Sequence, residues 1–127
     1  MNLEKVVFSF FMILALTLNF GFFYGDVDNP AHHNVYELYA VLIVNLIATV
    51  MKFGDRSQLG AMLLATSLVA VVQLISATIV WTVAVHVHDT GLTPGVMSMI
   101  VSLSGGAMLA NVISVILLMI EAAMLRH

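Results

Sequence analysis

A chain of 127 residues that is 61% hydrophobic and 9% charged, with a mean hydropathy of +1.08, cannot cover itself with a water-soluble surface. Soluble domains carry about 25% charged residues, so lipid is the expected solvent for most of this protein. Four Lys and Arg against seven Asp and Glu give a formal charge of −3. That excludes nucleic acid as a partner, because phosphate binding needs clustered cations. The absence of cysteine excludes disulfides, thiolate metal sites and a cysteine nucleophile.

The length fits a single domain, residues 1–127. The first uncharged run predicts a transmembrane helix over about residues 4–25. Lys5 ahead of it gives the look of a secretory leader, but residues 18–23 (Leu-Asn-Phe-Gly-Phe-Phe) lack a small-x-small cleavage pattern, so the helix is expected to be retained. Asn29-Pro30 supplies a capping residue and a first-turn proline, predicting a second helix over 30–53 that Gly54-Asp55 breaks. The third helix is expected over 57–85, followed by a polar turn at 86–91. Thr93-Pro94 repeats the cap and proline and opens a fourth helix, 94–125.

The second helix is short in apolar terms. Between Glu37 and Lys52 about 14 residues are uncharged, roughly 21 Å of helix. A bilayer core is thicker than that, so this helix is expected to be shielded by its neighbours or to face water.

Drawn as four spans, the chain sorts its charges by face. Lys5, Lys52, Arg56 and Arg126 all fall on one side. Short loops rich in Lys and Arg stay cytoplasmic, which predicts both termini inside and a multi-pass protein of the cell membrane, the inner membrane in a bacterium. The other face holds Asp26, Asp28, His32, His33, Glu37, His86, His88 and Asp89, with no Lys or Arg. Negative charge without compensating cations concentrates cations at such a mouth. Carboxylates and imidazoles also suit Zn, Mn or Ni, so Asp26, Asp28, His32, His33, His86, His88 and Asp89 form the candidate site for a divalent metal ion. The plainer reading is that short outer loops are polar anyway. No cofactor is required.

Two helical faces carry the remaining polar signal. Glu37, Asn45, Thr49 and Lys52 share one side of the second helix, a line from an outer carboxylate to an inner ammonium. On the fourth helix Ser98, Ser102, Gly106, Ala110 and Ser114 recur every four residues, with Gly105 beside them. Small residues at this spacing let two helix backbones approach closely, so Gly105, Gly106, Ala110 and Ser114 are the expected packing contacts. The buried amides Asn19, Asn45, Gln73 and Asn111, one per helix, are expected to interlock. Glu121 is expected to pair with Lys52, Arg56 or Arg126.

No acid–histidine–nucleophile set, phosphate-binding glycine loop or HExxH stands in the chain, so no enzyme is expected. In length and span count the chain is similar to the small fluoride channels and the small multidrug exporters. The likeness stops there, because its charge bias is one-sided and its first span has Asn19 where the exporters carry an acid.

The expected fold is therefore an all-α integral membrane bundle of four transmembrane helices that forms a homo-oligomer. The leading functional expectation is a cation channel or facilitator. Its path would use Glu37, Asn45, Thr49, Lys52, Ser98, Ser102, Gly106 and Asn111, and its partners would be lipid, an inorganic cation and further copies of itself. The alternative is a non-transporting accessory or scaffold subunit that packs on another membrane protein through the fourth helix.

Overall fold

The computed structural model describes residues 3–25, 29, 31, 33–55, 57–87 and 91–125. Among them, four helices are long and apolar enough to cross a membrane. These are α1 (Leu3–Phe23), α2 (Val35–Lys52), α3 (Gln58–Thr82) and α4 (Pro94–Leu125). A π-helical turn, Val83–Val87, extends α3. Successive helices pack side by side and α4 closes back on α1, so the order around the bundle is α1–α2–α3–α4. Short connections make the neighbours antiparallel. Lys5 and Lys52 mark one end of the bundle, the basic end; His33 and His86 mark the other, the histidine end.

Local chemistry sets the boundaries. At Asn34 the side-chain oxygen accepts from Tyr36 N at 2.8 Å, and α2 begins there. The expected start at Asn29-Pro30 is therefore too early. Asn29 instead accepts from Ala31 N, a local turn that competes with helix. Buried His33, whose Nδ1 donates to the Phe22 carbonyl, anchors the chain ahead of the cap. Ser57 caps α3 by accepting from Gly60 N at 2.9 Å. Thr93 accepts from Val96 N at 3.2 Å, with Pro94 in the first position of α4. Gly91 adopts φ 68°, where a Cβ would be strained, and its N–H closes the α3 turn on the Ala84 carbonyl at 3.0 Å.

The outside of the bundle is apolar: Phe10, Ile43, Val72, Leu109 and Met119 are each more than half exposed. Water would penalise such a surface, and lipid would not. Inside, the buried hydrophobic residues fall into two clusters. One, toward the histidine end, includes Phe22, Leu38, Val41, Leu74, Trp81, Met97 and Ile100. The other, toward the basic end, includes Phe8, Met12, Ala48, Leu63 and Leu117.

Candidate functional site

The polar face of α2 turns into the bundle. Asn45 is fully buried, Thr49 and Lys52 nearly so, and Glu37 is half-buried. Such groups avoid lipid unless they face a partner or water, and here they face other helices. The Glu37 carboxylate lies against Gly21 of α1, so close that a Cβ there would fall 2.3 Å from its Oε2. At the basic end the Lys52 ammonium sits 4.3 Å from the Phe8 ring centroid and 3.3 Å from Asp55 Oδ2. Asp55 also accepts from Ser57 N and Ser57 Oγ. Those hydrogen bonds, chiefly the one from the Ser57 backbone, hold its carboxyl below the ordinary Asp range, with Lys52 adding a smaller effect in the same direction.

Between these ends Asn45 and Thr49 bond only within their own helix. Asn45 Nδ2 donates to the Val41 carbonyl at 3.2 Å, and Thr49 Oγ1 donates to the Asn45 carbonyl at 2.7 Å. The amides do not form the single network expected of them. Asn19 and Asn111 do meet: Asn111 Nδ2 donates to Asn19 Oδ1 at 3.2 Å, and Asn19 Nδ2 donates to the carbonyl and hydroxyl of Ser104 at 3.0 and 2.9 Å. Gln73 packs instead over Gly106, where a Cβ would fall 2.3 Å from its Oε1. Three amide oxygens, on Asn45, Gln73 and Asn111, are buried with no donor among the described residues.

The four-residue row on α4 does not stay on one face. Each step of four residues turns a helix about 40° past a full turn, so four steps rotate the row by about 160°. Ser98 and Ser102 accordingly open on the outside, whereas Gly105 packs under Phe23 and Gly106 under Gln73 within the bundle. With Phe23, Val101, Gly105, Gly106, Met108 and Leu109, the two serines line an open, largely apolar groove of about 610 Å³. Ala110 and Ser114 are buried in the bundle, where Ser114 and Thr66 of α3 share a hydroxyl hydrogen bond at 2.6 Å. The expected path is thereby divided. Asn45, Thr49, Lys52 and Asn111 lie in the interior, whereas Ser98 and Ser102 lie on the outer surface of the bundle.

At the histidine end, His33 is buried against Phe22 with ring centroids 5.4 Å apart, and His86 is exposed on the π-helical turn. Asp26, Asp28, His32, His88 and Asp89 lie outside the described residues, as do Arg56 and Arg126. Among the described residues no group of three or more metal-ligating side chains comes together. Glu121 pairs with Lys5 at 3.3 Å, while Lys52, one of its three expected partners, pairs with Asp55; the other two, Arg56 and Arg126, lie outside the described residues. The antiparallel contact of α1 with α4 puts the start of one beside the end of the other.

Sequence reasoning missed Ser104, which stands off the four-residue row and yet supplies both a carbonyl and a hydroxyl to Asn19. Its spacing of seven from Asn111, two helical turns on one face, was the available signal. It also missed Gly21 and Phe8 as the contacts of Glu37 and Lys52.

No curated protein and no solved structure matches the chain. Residues 32–122, which take in α2, α3 and most of α4, match the model of a family described as "Family of unknown function (DUF6394)", and the chain belongs to that family.

Proposed function

We propose that this chain is a structural subunit of the cell membrane, with both termini cytoplasmic, that assembles with copies of itself through the groove on α4. The groove is the observation that carries this reading. Ser98, Ser102, Gly105 and Gly106 leave a concave strip in an otherwise bulky apolar surface. In lipid, where apolar surface gives no drive to associate, such a strip supports association because a second helix can seat its side chains in the groove over Ser98 and Ser102. Two α4 helices related by a two-fold axis would each present the same strip to the other. The Lys and Arg bias supports the orientation.

The chain has no cysteine, so single-cysteine cross-linking tests the proposal directly. Ser102→Cys in native membranes should give a disulfide-linked dimer on oxidation, and Val72→Cys on the exposed face of α3 should not. Absence of the Ser102→Cys cross-link, with a monomer by native mass spectrometry, would reject self-assembly through this face.

A cation facilitator is the second reading. It is favoured by the inward-turned line of Glu37, Asn45, Thr49 and Lys52 and by the sequence segments 26–37 and 86–89, which carry acids and histidines without Lys or Arg. It ranks second because apolar clusters fill the bundle above and below Asn45. Liposomes containing the purified protein should then show cation flux; no flux at any pH, with and without divalent ions, removes this reading. Divalent metal binding at the histidine end belongs with it. Calorimetry should show weaker Zn²⁺ binding after His86→Ala with His88→Ala, and an unchanged titration would dismiss the site.

A further inference from the structure

The two buried apolar clusters meet at a boundary, and at that boundary three helices carry polar side chains. On α2, Val41 belongs to the cluster toward the histidine end, Ala48 to the cluster toward the basic end, and Asn45 lies between them. On α3 the same order is Ala70, Ser67 and Leu63. On α4 it is Ala110, then Asn111 and Ser114, then Leu117. All four polar residues have no exposed surface. A spacing of three or four residues puts each on the same inward face as its apolar neighbours, so the core is a sandwich with a polar filling.

That filling has more acceptors than donors. The Asn45 amide N–H is directed at its own helix and that of Asn111 at Asn19, which leaves both carboxamide oxygens open. Ser67 donates its hydroxyl only to the Met12 thioether, at 3.8 Å, a weak acceptor. Ser114 is occupied with Thr66. Two wholly buried carbonyl oxygens, on the diagonally placed helices α2 and α4, thus lack a donor among the described residues, and such groups are costly in an apolar interior.

We infer that this layer is a water-binding site, in which an internal water donates to Asn45 Oδ1 and Asn111 Oδ1. Water is the smallest molecule with two donors. A metal cation is the other chemistry that open carbonyl oxygens accept, but no carboxylate stands among the residues of the layer to offset its charge in mid-bundle. The layer makes the centre of the bundle wet while both ends of the core stay dry. This inference does not depend on self-assembly through α4.

The test uses the full chain in lipid nanodiscs with ¹⁵N-labelled asparagine. Nuclear Overhauser transfer from water to the side-chain amides of Asn45 and Asn111 is expected. No transfer at either amide overturns the site. A change in the Asn45 side-chain resonance when Na⁺ or K⁺ replaces choline at constant ionic strength would assign the layer to a cation and also overturn it. Stability gives an independent sign. With water bound, Asn45→Leu lowers the thermal midpoint by a few degrees, because the water loses a partner and Asn111 its donor. With a dry layer the same change removes an unmet acceptor and raises the midpoint, which would refute the inference.

Discussion

Asn19 and Asn45 are the same residue type, both without exposed surface, both within apolar helices, and they do different things. Asn19 reaches across to α4, where Ser104 accepts its two donors and Asn111 donates to its oxygen. Asn45 turns its amide back on its own helix and leaves its oxygen open. A buried amide therefore ties helices together only when the facing helix offers both a donor and an acceptor at the same level. The same division between partners on another helix and partners nearby in the chain runs through the rest of the polar structure.

The largest effect is expected where three groups of the facing helix depend on one side chain. Asn19→Leu should destabilise the bundle by about 1–2 kcal/mol, the upper end of interhelical hydrogen bonds in membranes, because it strands the Asn111 amide. Reversible unfolding in mixed micelles would measure it. The Asn19→Leu/Asn111→Leu double variant should cost clearly less than the two single changes added together. Strict additivity would mean that the seam is not a unit. Asn45→Leu should move the unfolding free energy less than half as far as Asn19→Leu, and an equal loss would erase the contrast between the two amides.

This contrast marks how far the sequence could be read. Helix number and approximate bounds were legible because charge and cap residues punctuate apolar runs; Thr93-Pro94 acts as read and α3 starts where expected, with Ser57 as a cap the sequence reading did not name, while Asn29-Pro30 yields to Asn34 because His33 is anchored to Phe22. The inward face of α2 was legible too, since Asn45, Thr49 and Lys52 lie on one side of any helix. What could not be read was which helix faces which. Glu121 finds Lys5, and Asn19 finds Ser104, only through the closure of α4 on α1. The α4 row was read as one stripe, although a four-residue repeat drifts around the helix and carries Ser114 into the core.

Lys52 combines both kinds of partner and so sharpens the comparison. Its ammonium lies over the Phe8 ring of α1 and beside Asp55, three residues along the chain. The ring contact is the one shielded from water, so Phe8→Leu should cost more than Asp55→Asn, with about 1 kcal/mol attributable to the cation–ring contact. Unfolding free energies of the two variants, measured in Lys52 and Lys52→Met backgrounds, would separate the contributions. If Asp55→Asn proved the costlier change through Lys52, the local partner would dominate after all.

Gly21 and Glu37 provide a smaller cross-helix effect. A methyl group at residue 21 collides with the Glu37 carboxylate, but that carboxylate is the end of a flexible side chain and can swing away. Gly21→Ala should therefore cost less than about 1 kcal/mol. In a Glu37→Ala background it should be close to neutral. A loss that persists there would mean that the collision is with the α2 backbone and that α1 and α2 are held at fixed separation by more than this side chain.

The smallest effect expected is a pH dependence that belongs to a local partner alone. Asp55 lies in the turn between α2 and α3, where the hydrogen bond from the Ser57 backbone, then that from its hydroxyl, favours the ionised carboxylate and lowers its pKa in the folded protein. A folded-state pKa below the unfolded one means that the unfolded chain binds more protons through this range. The stabilisation is thus fully present above the unfolded value near 3.8 and is lost as pH falls through the lower folded value. Because the carboxylate is 30% exposed in its contact with Lys52, solvent screening keeps the contribution to a few tenths of a kcal/mol. Unfolding followed from pH 6 down to pH 3 should show wild type losing slightly more stability than Asp55→Asn, which carries no proton to gain at this position. Parallel curves for the two proteins would show that Ser57 holds the α3 cap without help from the charge on Asp55.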